Sequence, residues 1–220
     1  MNTKSLNKTI INHFSLNLSD EVFKVIYFGK ENFKENKLIV TETKNVLFLD
    51  NNIKTKFKHT SLEEVTKVFL DKAMDVSLYY FIDKMVKVKK HISNKYSFNL
   101  VSEKELDDFF INNSFGDDIY ISSSDIDVLG IYKDSELIGV VSLIKFDDFY
   151  DLCVCVKNGY QNKHVGRVLL YEYLKYEKKN RTIRIMVNSK NIQMVKVLES
   201  LGLKSQAMII ETKSEDLVNV

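Results

Sequence analysis

The sequence contains no proline and no tryptophan, and only seven of its 220 residues are glycine and two are cysteine. Without proline, the strongest sequence marker of helix ends and loop boundaries is missing. Cys153 and Cys155 are two positions apart in an apolar run, so in a strand both would lie on one face, a poor geometry for a disulfide. The four histidines are scattered singly. We therefore expect two buried thiols and no metal site.

A strong charge imbalance and long apolar runs are also absent. The net charge is +2, from 32 basic and 30 acidic residues, which does not favour a nucleic-acid partner. No apolar run approaches the ~18–20 residues that a membrane-spanning helix needs, and the first residues lack the apolar core of a secretion signal. With 45% hydrophobic and 28% charged residues, the composition is that of a folded globular protein. We expect a cytoplasmic protein without a membrane partner.

Glycine is distributed unevenly along the chain. Gly29 is the only glycine in the first half, and the later ones are Gly116, Gly130, Gly139, Gly159, Gly166 and Gly202. Because glycine permits tight turns and close backbone approach, the second half is where we expect the chain to bend around a ligand. We divide the chain into a smaller α/β region, 1–94, and a second domain, 95–220, with the polar stretch His91–Lys95 at the boundary.

The first half predicts a helical start, then a β-hairpin with short strands, then a long helix. Strands are predicted at Leu38–Thr43, Val46–Asp50 and Ile53–Phe57. Capping signals around Ser61 predict a helix from Leu62 to about His91, with a possible break near Asp75 that would divide it into two helices. The apolar stripe of this helix fits either packing within the chain or a homodimer interface.

The second half alternates strands and helices. Strands are predicted at Tyr96–Val101, Val128–Tyr132, Glu136–Ile144, Tyr150–Val156, Thr182–Val187 and Ala207–Thr212. Helices are predicted from a capping box at Ser102 and Glu105 through Ile111, from Gly166 to Lys178, and from Asn191 to Leu201, the last ended by Gly202. This order predicts a mixed α/β (α+β) fold with a mostly antiparallel sheet flanked by helices.

The segment Leu152–Leu170 carries the clearest chemical signal, because a strand runs into a polar loop and the loop runs directly into a helix. The first turn of a helix presents unpaired N–H groups and the positive end of the dipole, which suits a pyrophosphate. Gly166 would let the backbone approach the ligand, and Lys163 and Arg167 would add positive charge. On these grounds alone, an ordinary strand-to-helix crossover fits equally well.

Two motifs in this half resemble those of the GNAT superfamily of N-acyltransferases. The segment Gln161–Gly166 resembles the acyl-CoA motif Gln/Arg-x-x-Gly-x-Gly/Ala, with His164 at the position of the first glycine. The segment Asn188–Leu203 resembles the second conserved block, in which Asn191, Leu201 and Gly202 match and Leu203 replaces an aromatic residue. The resemblance extends over residues 95–220.

The resemblance implies a co-substrate, acetyl-CoA or another acyl-CoA, and an acceptor that is a small-molecule or peptide amine. It implies that the backbone at the end of the strand pairs with the pantetheine arm as an added strand would. The implied cofactor-binding residues are Val154, Cys155, Val156, Gln161, Asn162, Lys163, His164, Val165, Gly166, Arg167 and Asn191.

The catalytic residues are less well marked. Leu198 stands where many family members have a tyrosine that protonates the leaving thiolate, and this departure predicts a slow enzyme or a different acid. Tyr150 shares strand parity with Val154 and is the predicted cleft residue; Asp147, Asp148 and Asp151 are alternative bases or solvated turn residues. The acidic segment Leu106–Asp127 either favours a cationic amine or is a solvated loop. A non-catalytic acyl-CoA-binding module is the alternative function.

Overall fold

The computed structural model describes residues 23–28, 36–41, 45–50, 61–82, 95–113, 126–145, 149–176 and 182–217. The strands are β1 (Phe23–Phe28), β2 (Asn36–Thr41), β3 (Asn45–Asp50), β4 (Asp75–Ile82), β5 (Ser97–Leu100), β6 (Ile126–Lys133), β7 (Glu136–Lys145), β8 (Tyr150–Val156), β9 (Ile183–Asn188) and β10 (Ala207–Thr212). The helices are α1 (Leu62–Asp71), α2 (Glu103–Ile111), α3 (Val165–Tyr176), α4 (Ile192–Ser200) and α5 (Ser214–Leu217).

The chain forms two compact units. Unit I contains Phe81–Met186 and Ile192–Lys204, and unit II contains Ile11–Tyr80, Val187–Asn191 and Ser205–Val220. Within the part of the chain that the structure describes, the parallel strand pairs are β8–β9 in unit I and β1–β3 in unit II, and the other paired strands are antiparallel. The predicted mixed, mostly antiparallel sheet with flanking helices is confirmed.

The sheet of unit II has the order β1-β3-β2-β10-β4 and is covered by α1. The helix begins at the predicted place, where the Ser61 side chain accepts a hydrogen bond from the Glu64 N–H. The residues of α1 that face the sheet, Val65, Val68 and Phe69, are buried in one cluster with side chains of β2, β3 and β10. The apolar stripe of α1 is therefore a core stripe over its described length.

Between Asp71 and Ile82, the prediction of a helix from Leu62 to about His91 is wrong, as is the alternative of a second helix after a break near Asp75. Residues Asp75–Ile82 form strand β4, which pairs antiparallel with β10. The segment is rich in aromatic and β-branched residues, which favour a strand. Its apolar spacing also fits a helix, but pairing with a strand that is distant in sequence makes it a strand. The predicted strand Ile53–Phe57, and the rest of the predicted helix after Ile82, lie outside the described residues.

The sheet of unit I has the order β9-β8-β7-β6-β5 and lies between two helices. On one face, Leu106 and Phe109 of α2 pack against Val128, Val140 and Cys155. On the other face lies α3, since a Cβ added at Gly139 would meet the Leu169 side chain at 3.5 Å. The predicted capping box is confirmed, because Ser102 and Glu105 exchange both of its hydrogen bonds at the start of α2.

The last strand, β10, belongs to unit II although it follows unit I in sequence. It pairs with β2 along Ala207–Thr212 and with β4 along Ala207–Glu211. The boundary between residues 94 and 95 stays a prediction. No helix within the described residues is long and apolar enough to cross a membrane.

Candidate functional site

Strands β8 and β9 separate after a short parallel contact. Within the described residues, they pair only at Tyr150↔Ile183 and Asp151↔Arg184, whereas β8 continues to Val156 and β9 to Asn188. On its other side, β8 is paired with β7 along its whole length. The edge of β8 that faces β9 is therefore without a strand partner beyond Asp151, and a gap opens between the two strands.

The backbone pattern shows which residues of β8 face this gap. In an antiparallel pair, successive residues alternate between pointing their N–H and C=O at the partner strand and pointing them away. The Lys157 N–H donates to the Ile138 carbonyl (3.0 Å), and the Tyr150 N–H donates away from β7 to the Thr182 carbonyl (2.9 Å). By this alternation, the backbone groups of Val154 and Val156 face the gap.

The loop after β8 is held by side-chain hydrogen bonds. Residues Asn158–Tyr160 form one 3-10 turn. The Gln161 side-chain amide donates to the Val156 carbonyl (3.1 Å) and to Asn158 Oδ1 (3.0 Å). The glutamine of the motif thus ties the loop to the end of β8 and uses the gap-facing carbonyl of Val156. Val154 can therefore offer both its backbone N–H and its C=O to a ligand in the gap.

His164 has a backbone conformation that glycine adopts freely. Its φ is 63°, in the left-handed region, and Asn162 has a φ of 60°. Histidine and asparagine are among the few other residues found there with some frequency. The His164 carbonyl also accepts the first hydrogen bond of α3, from the Val168 N–H (3.0 Å). The histidine therefore occupies a position where a glycine would be free of strain.

The start of α3 has the backbone geometry that suits an anion. Its first turn presents N–H groups that lack partners within the helix, at the positive end of the helix dipole. A Cβ added at Gly166 would meet only the Val156 side chain, at the ordinary contact distance of 3.6 Å, and the φ of Gly166 is not in the left-handed region. Neither packing nor backbone conformation among the described residues requires glycine here, and its lack of a side chain leaves room for a ligand to approach the backbone.

The two cationic residues of the motif point to different neighbours. Lys163 Nζ donates to the Gly159 carbonyl (2.7 Å) and lies over the Tyr160 ring. The Arg167 guanidinium donates to the Ser200 carbonyl (3.4 Å) at the C-terminal end of α4, where the helix dipole is negative. Arg167 therefore joins α3 to α4.

The closed end of the gap is fixed by a buried ion pair. The Arg184 guanidinium donates two hydrogen bonds to the Asp151 carboxylate and lies 4.3 Å from the centroid of the Phe149 ring. Because both carboxylate oxygens are occupied, Asp151 is a poor candidate for the catalytic base. Tyr150 is half-buried and lies at the same end of the gap, on the face that carries Val154. Asp147 and Asp148 lie outside the described residues.

The second motif forms the predicted helix α4. It ends in a Schellman motif, in which the Leu203 N–H donates to the Leu198 carbonyl (3.1 Å) and Gly202 has a φ of 87°. Leu198, at the position of the family's acid, is fully buried in the core. Asn191 is exposed beside the start of α4, and the preceding turn is closed by Asn188, whose side chain accepts the Lys190 N–H (2.9 Å).

Of the two cysteines predicted to be buried, Cys155 is buried and Cys153 is only partly buried. Cys155 is 2% exposed, and burial, with a smaller effect from Cys153, raises the pKa of its thiol to about 12. By the alternation in β8, its backbone groups face β7, so the predicted role of Cys155 in binding has neither side-chain nor backbone support in this geometry. Among the described residues, no group of three or more His, Cys, Asp and Glu side chains is placed to hold a metal ion.

Most of the predicted binding residues thus lie along one path, from Val154 through the loop to Arg167. The sequence analysis did not find Glu136, which accepts hydrogen bonds from Tyr160 Oη (2.7 Å) and from Lys157 Nζ and so anchors the loop to β7. It also missed the pairing of Arg184 with Asp151. Both interactions join residues that are 21 to 33 positions apart in sequence, and only the strand register would have shown them.

A gap at a strand edge that leads into a helix N-terminus suits an extended ligand with an amide chain and a pyrophosphate. The sequence profile of the acetyltransferase (GNAT) family matches residues 91–203. The chain belongs to the GNAT family. Membership makes acyl transfer the general chemistry of this fold, and acyl-CoA the usual donor.

Two of the solved structures that are similar to this chain are N-acetyltransferases or acetyltransferases by name. A GCN5-related N-acetyltransferase from Sphaerobacter thermophilus is 8% identical, with a TM-score of 0.53, over 82% of this chain and 61% of that chain. An acetyltransferase of the GNAT family from Colwellia psychrerythraea is 13% identical, with a TM-score of 0.46, over 81% of this chain and 65% of that one. At these identities, the likeness concerns the fold alone. Among proteins with curated functions, none matches this GNAT chain by sequence.

Proposed function

We propose that the protein is an N-acyltransferase that moves an acetyl group from acetyl-CoA to a primary amine. The observation that carries the proposal is the continuous path from the gap-facing backbone of Val154 to the N-terminus of α3. The path offers strand-like hydrogen bonds to the amides of pantetheine and N–H groups to the pyrophosphate. With both held, the thioester lies in the gap, and the gap is closed at the Tyr150 end.

The reaction needs little chemistry from the protein once the donor is held. The neutral amine nitrogen attacks the thioester carbonyl carbon, the C–S bond breaks, and the amine loses a proton while the thiolate gains one. Holding the two reactants in line supplies much of the rate. We propose Tyr150 as a cleft residue that contacts the acceptor, because Asp151 is occupied by Arg184.

We expect protonation of the leaving thiolate to be the slow step of this reaction. Leu198 is fully buried and carries no proton donor. A free thiol has a pKa near ~8.5, so water can protonate the leaving group, but a placed general acid typically adds about 100-fold or more. We therefore expect turnover at the low end for this family.

The acceptor is proposed to be a cationic amine such as a polyamine, an aminoglycoside or a lysine-like group. Helix α2 carries exposed Asp107 and Asp108 on the segment where acceptor sites of this family are built. Asp117, Asp118 and Asp125 lie outside the described residues. A carboxylate-lined site would attract the protonated form of the amine, which must then lose its proton before attack.

The proposal is tested by release of free CoA thiol from acetyl-CoA with a panel of polyamines, aminoglycosides and lysine peptides, with mass spectrometry of the products. We expect one class of amine to gain 42 Da, the mass of one acetyl group replacing a hydrogen, with release of thiol in equal amount. Thiol release that does not depend on any amine would contradict amine transfer.

A second candidate is a non-catalytic acyl-CoA-binding module, and it is favoured by one observation, the buried Leu198 at the acid position. It predicts binding of acetyl-CoA without turnover on any amine. Binding by calorimetry and thiol release, measured on one preparation, separate the two candidates. Efficient turnover on a defined amine would exclude the module.

A further inference from the structure

A cluster of lysines surrounds the Tyr160 ring, directly before the loop that leads into α3. Lys163 Nζ lies 5.5 Å from the ring centroid, and Lys133 Nζ lies 5.8 Å from it. The two ammonium groups come from different elements, Lys133 from the end of β6 and Lys163 from the loop. The ring therefore gathers two positive charges at the entrance to the proposed pyrophosphate site.

The ring at the centre of this cluster is held in place. Tyr160 Oη donates to Glu136 Oε2 (2.7 Å), and Lys157 Nζ donates to Glu136 Oε1. Glu136 stands opposite Lys133 across a two-residue turn, Asp134 and Ser135, both with left-handed backbone. The hydrogen bond from Lys157, then that from Tyr160, lowers the pKa of Glu136, so its charge offsets that of Lys157.

The cluster carries a net positive charge. Its cations are Lys133, Lys157 and Lys163, and its carboxylates are Glu136 and the nearby Asp134. Within the described residues, no ion pair involves Lys133 or Lys163. The contact shared by these two ammonium groups is the tyrosine ring, a weak partner at an exposed site. The cluster is thus suited to a further anion.

Acyl-CoA carries two kinds of phosphate. Its pyrophosphate is a diester, with one charge on each phosphorus, and suits the N–H groups of a helix N-terminus. Its 3′-phosphate is a terminal monoester that carries about −1.5 to −2 charge at pH 7 and suits compact ammonium groups. The start of α3 suits the pyrophosphate, and the lysine cluster lies beside this helix start.

We propose that Lys133 and Lys163, gathered around the Tyr160 ring, bind the 3′-phosphate of CoA and make the protein selective for CoA over dephospho-CoA. This inference rests on the proposed use of acyl-CoA. From the sequence we expected Lys163 to lie beside the pyrophosphate, whereas here it binds the neighbouring 3′-phosphate. It also adds Lys133, which lies outside both motif segments.

The test compares the Kd of CoA with that of dephospho-CoA by calorimetry. We expect the wild type to bind dephospho-CoA about tenfold more weakly, a typical effect of losing charge-assisted contacts. In Lys133→Ala/Lys163→Ala, we expect CoA to weaken to the level of dephospho-CoA, while the Kd of dephospho-CoA stays unchanged. The matched control, Lys145→Ala/Lys175→Ala, removes the same charge far from the cluster and should keep the tenfold preference.

The outcomes separate this inference from the proposed function. Equal binding of both ligands by the wild type would overturn the 3′-phosphate site and leave the proposed function intact. A tenfold preference that survives in the Lys133→Ala/Lys163→Ala variant would overturn it too. A wild type that binds neither ligand would overturn both. Raised ionic strength should reduce the preference, because exposed charges are screened within about 8 Å at physiological salt.

Discussion

His164 is the residue at which the sequence departs most visibly from its family, and the structure gives the departure a physical meaning. A motif glycine serves two needs, a left-handed backbone and the absence of a Cβ beside the ligand. His164 meets the first need with its φ of 63° and does not meet the second. The sequence showed the substitution, but only the backbone angle shows that His164 has a left-handed backbone.

The strain at this position can be tested by two substitutions. His164→Gly should leave stability unchanged or raised, because glycine adopts this backbone without penalty. His164→Val should lower the free energy of unfolding by about 1–2 kcal/mol, because a β-branched residue is strongly disfavoured there. Urea denaturation of both variants measures the difference. Equal stability of the two would mean that the residue does not adopt this backbone in solution.

Cys155 gives a prediction about reactivity and pH. Because burial raises the pKa of its thiol from 9.0 to about 12, it should resist alkylation in the folded protein at pH 8. Mass spectrometry after iodoacetamide treatment should find Cys155 modified only after unfolding in urea. The raised pKa contributes stability that is full below pH 9.0 and is lost as the pH rises towards 12. Rapid native alkylation of Cys155 would contradict its burial.

Strand β8 shows what the sequence could and could not predict at the scale of an element. Its bounds, Tyr150–Val156, agree with the apolar run, as do those of β10, Ala207–Thr212. Strand β4 was missed because its conformation depends on pairing with β10, more than 120 residues away. The gap between β8 and β9 could not be predicted from the sequence either, because it depends on where their pairing ends. The last pair is Asp151 with Arg184.

The Asp151 and Arg184 pair should be important for stability. The Arg184 side chain is 7% exposed and that of Asp151 is 18% exposed. Asp151→Asn would leave a buried guanidinium without its counter-charge, and we expect a loss of about 3 kcal/mol in the free energy of unfolding. Glu172→Gln, which breaks the exposed pair with Lys175, should cost at most about 0.5 kcal/mol. Similar losses from both variants in urea denaturation would show that the buried pair does not matter.

At the scale of the whole molecule, the order of the elements in the sequence does not show which unit each element joins. The composition and motifs suggested that everything after residue 94 forms one domain. The contacts place β10 in unit II, between β2 and β4. Of the segment after β9, Ile192–Lys204 belong to unit I and Ser205–Val220 to unit II. Sequence motifs point to a candidate site, but they do not show which sheet a final strand joins.

A truncated chain tests this assignment. Residues 95–220 alone would leave β10 without either of its strand partners, with exposed backbone groups on both edges. We expect this fragment to be insoluble or aggregated, whereas the full chain is soluble when expressed in the same way. Size-exclusion chromatography with circular dichroism measures both. A monomeric, cooperatively folded fragment would support the boundary between residues 94 and 95.

The central claim, that the loop and the start of α3 bind acyl-CoA, is tested most directly at Gly166. A Cβ at Gly166 meets only Val156 at 3.6 Å, and the motif accepts alanine at this position, so Gly166→Ala should fold and serves as the control. Calorimetry should show acetyl-CoA bound by the wild type and, within about twofold, by Gly166→Ala, while Gly166→Glu, which places a carboxylate beside the proposed pyrophosphate site, binds at least about tenfold more weakly. Equal binding by all three proteins, or no binding by the wild type, would contradict the account.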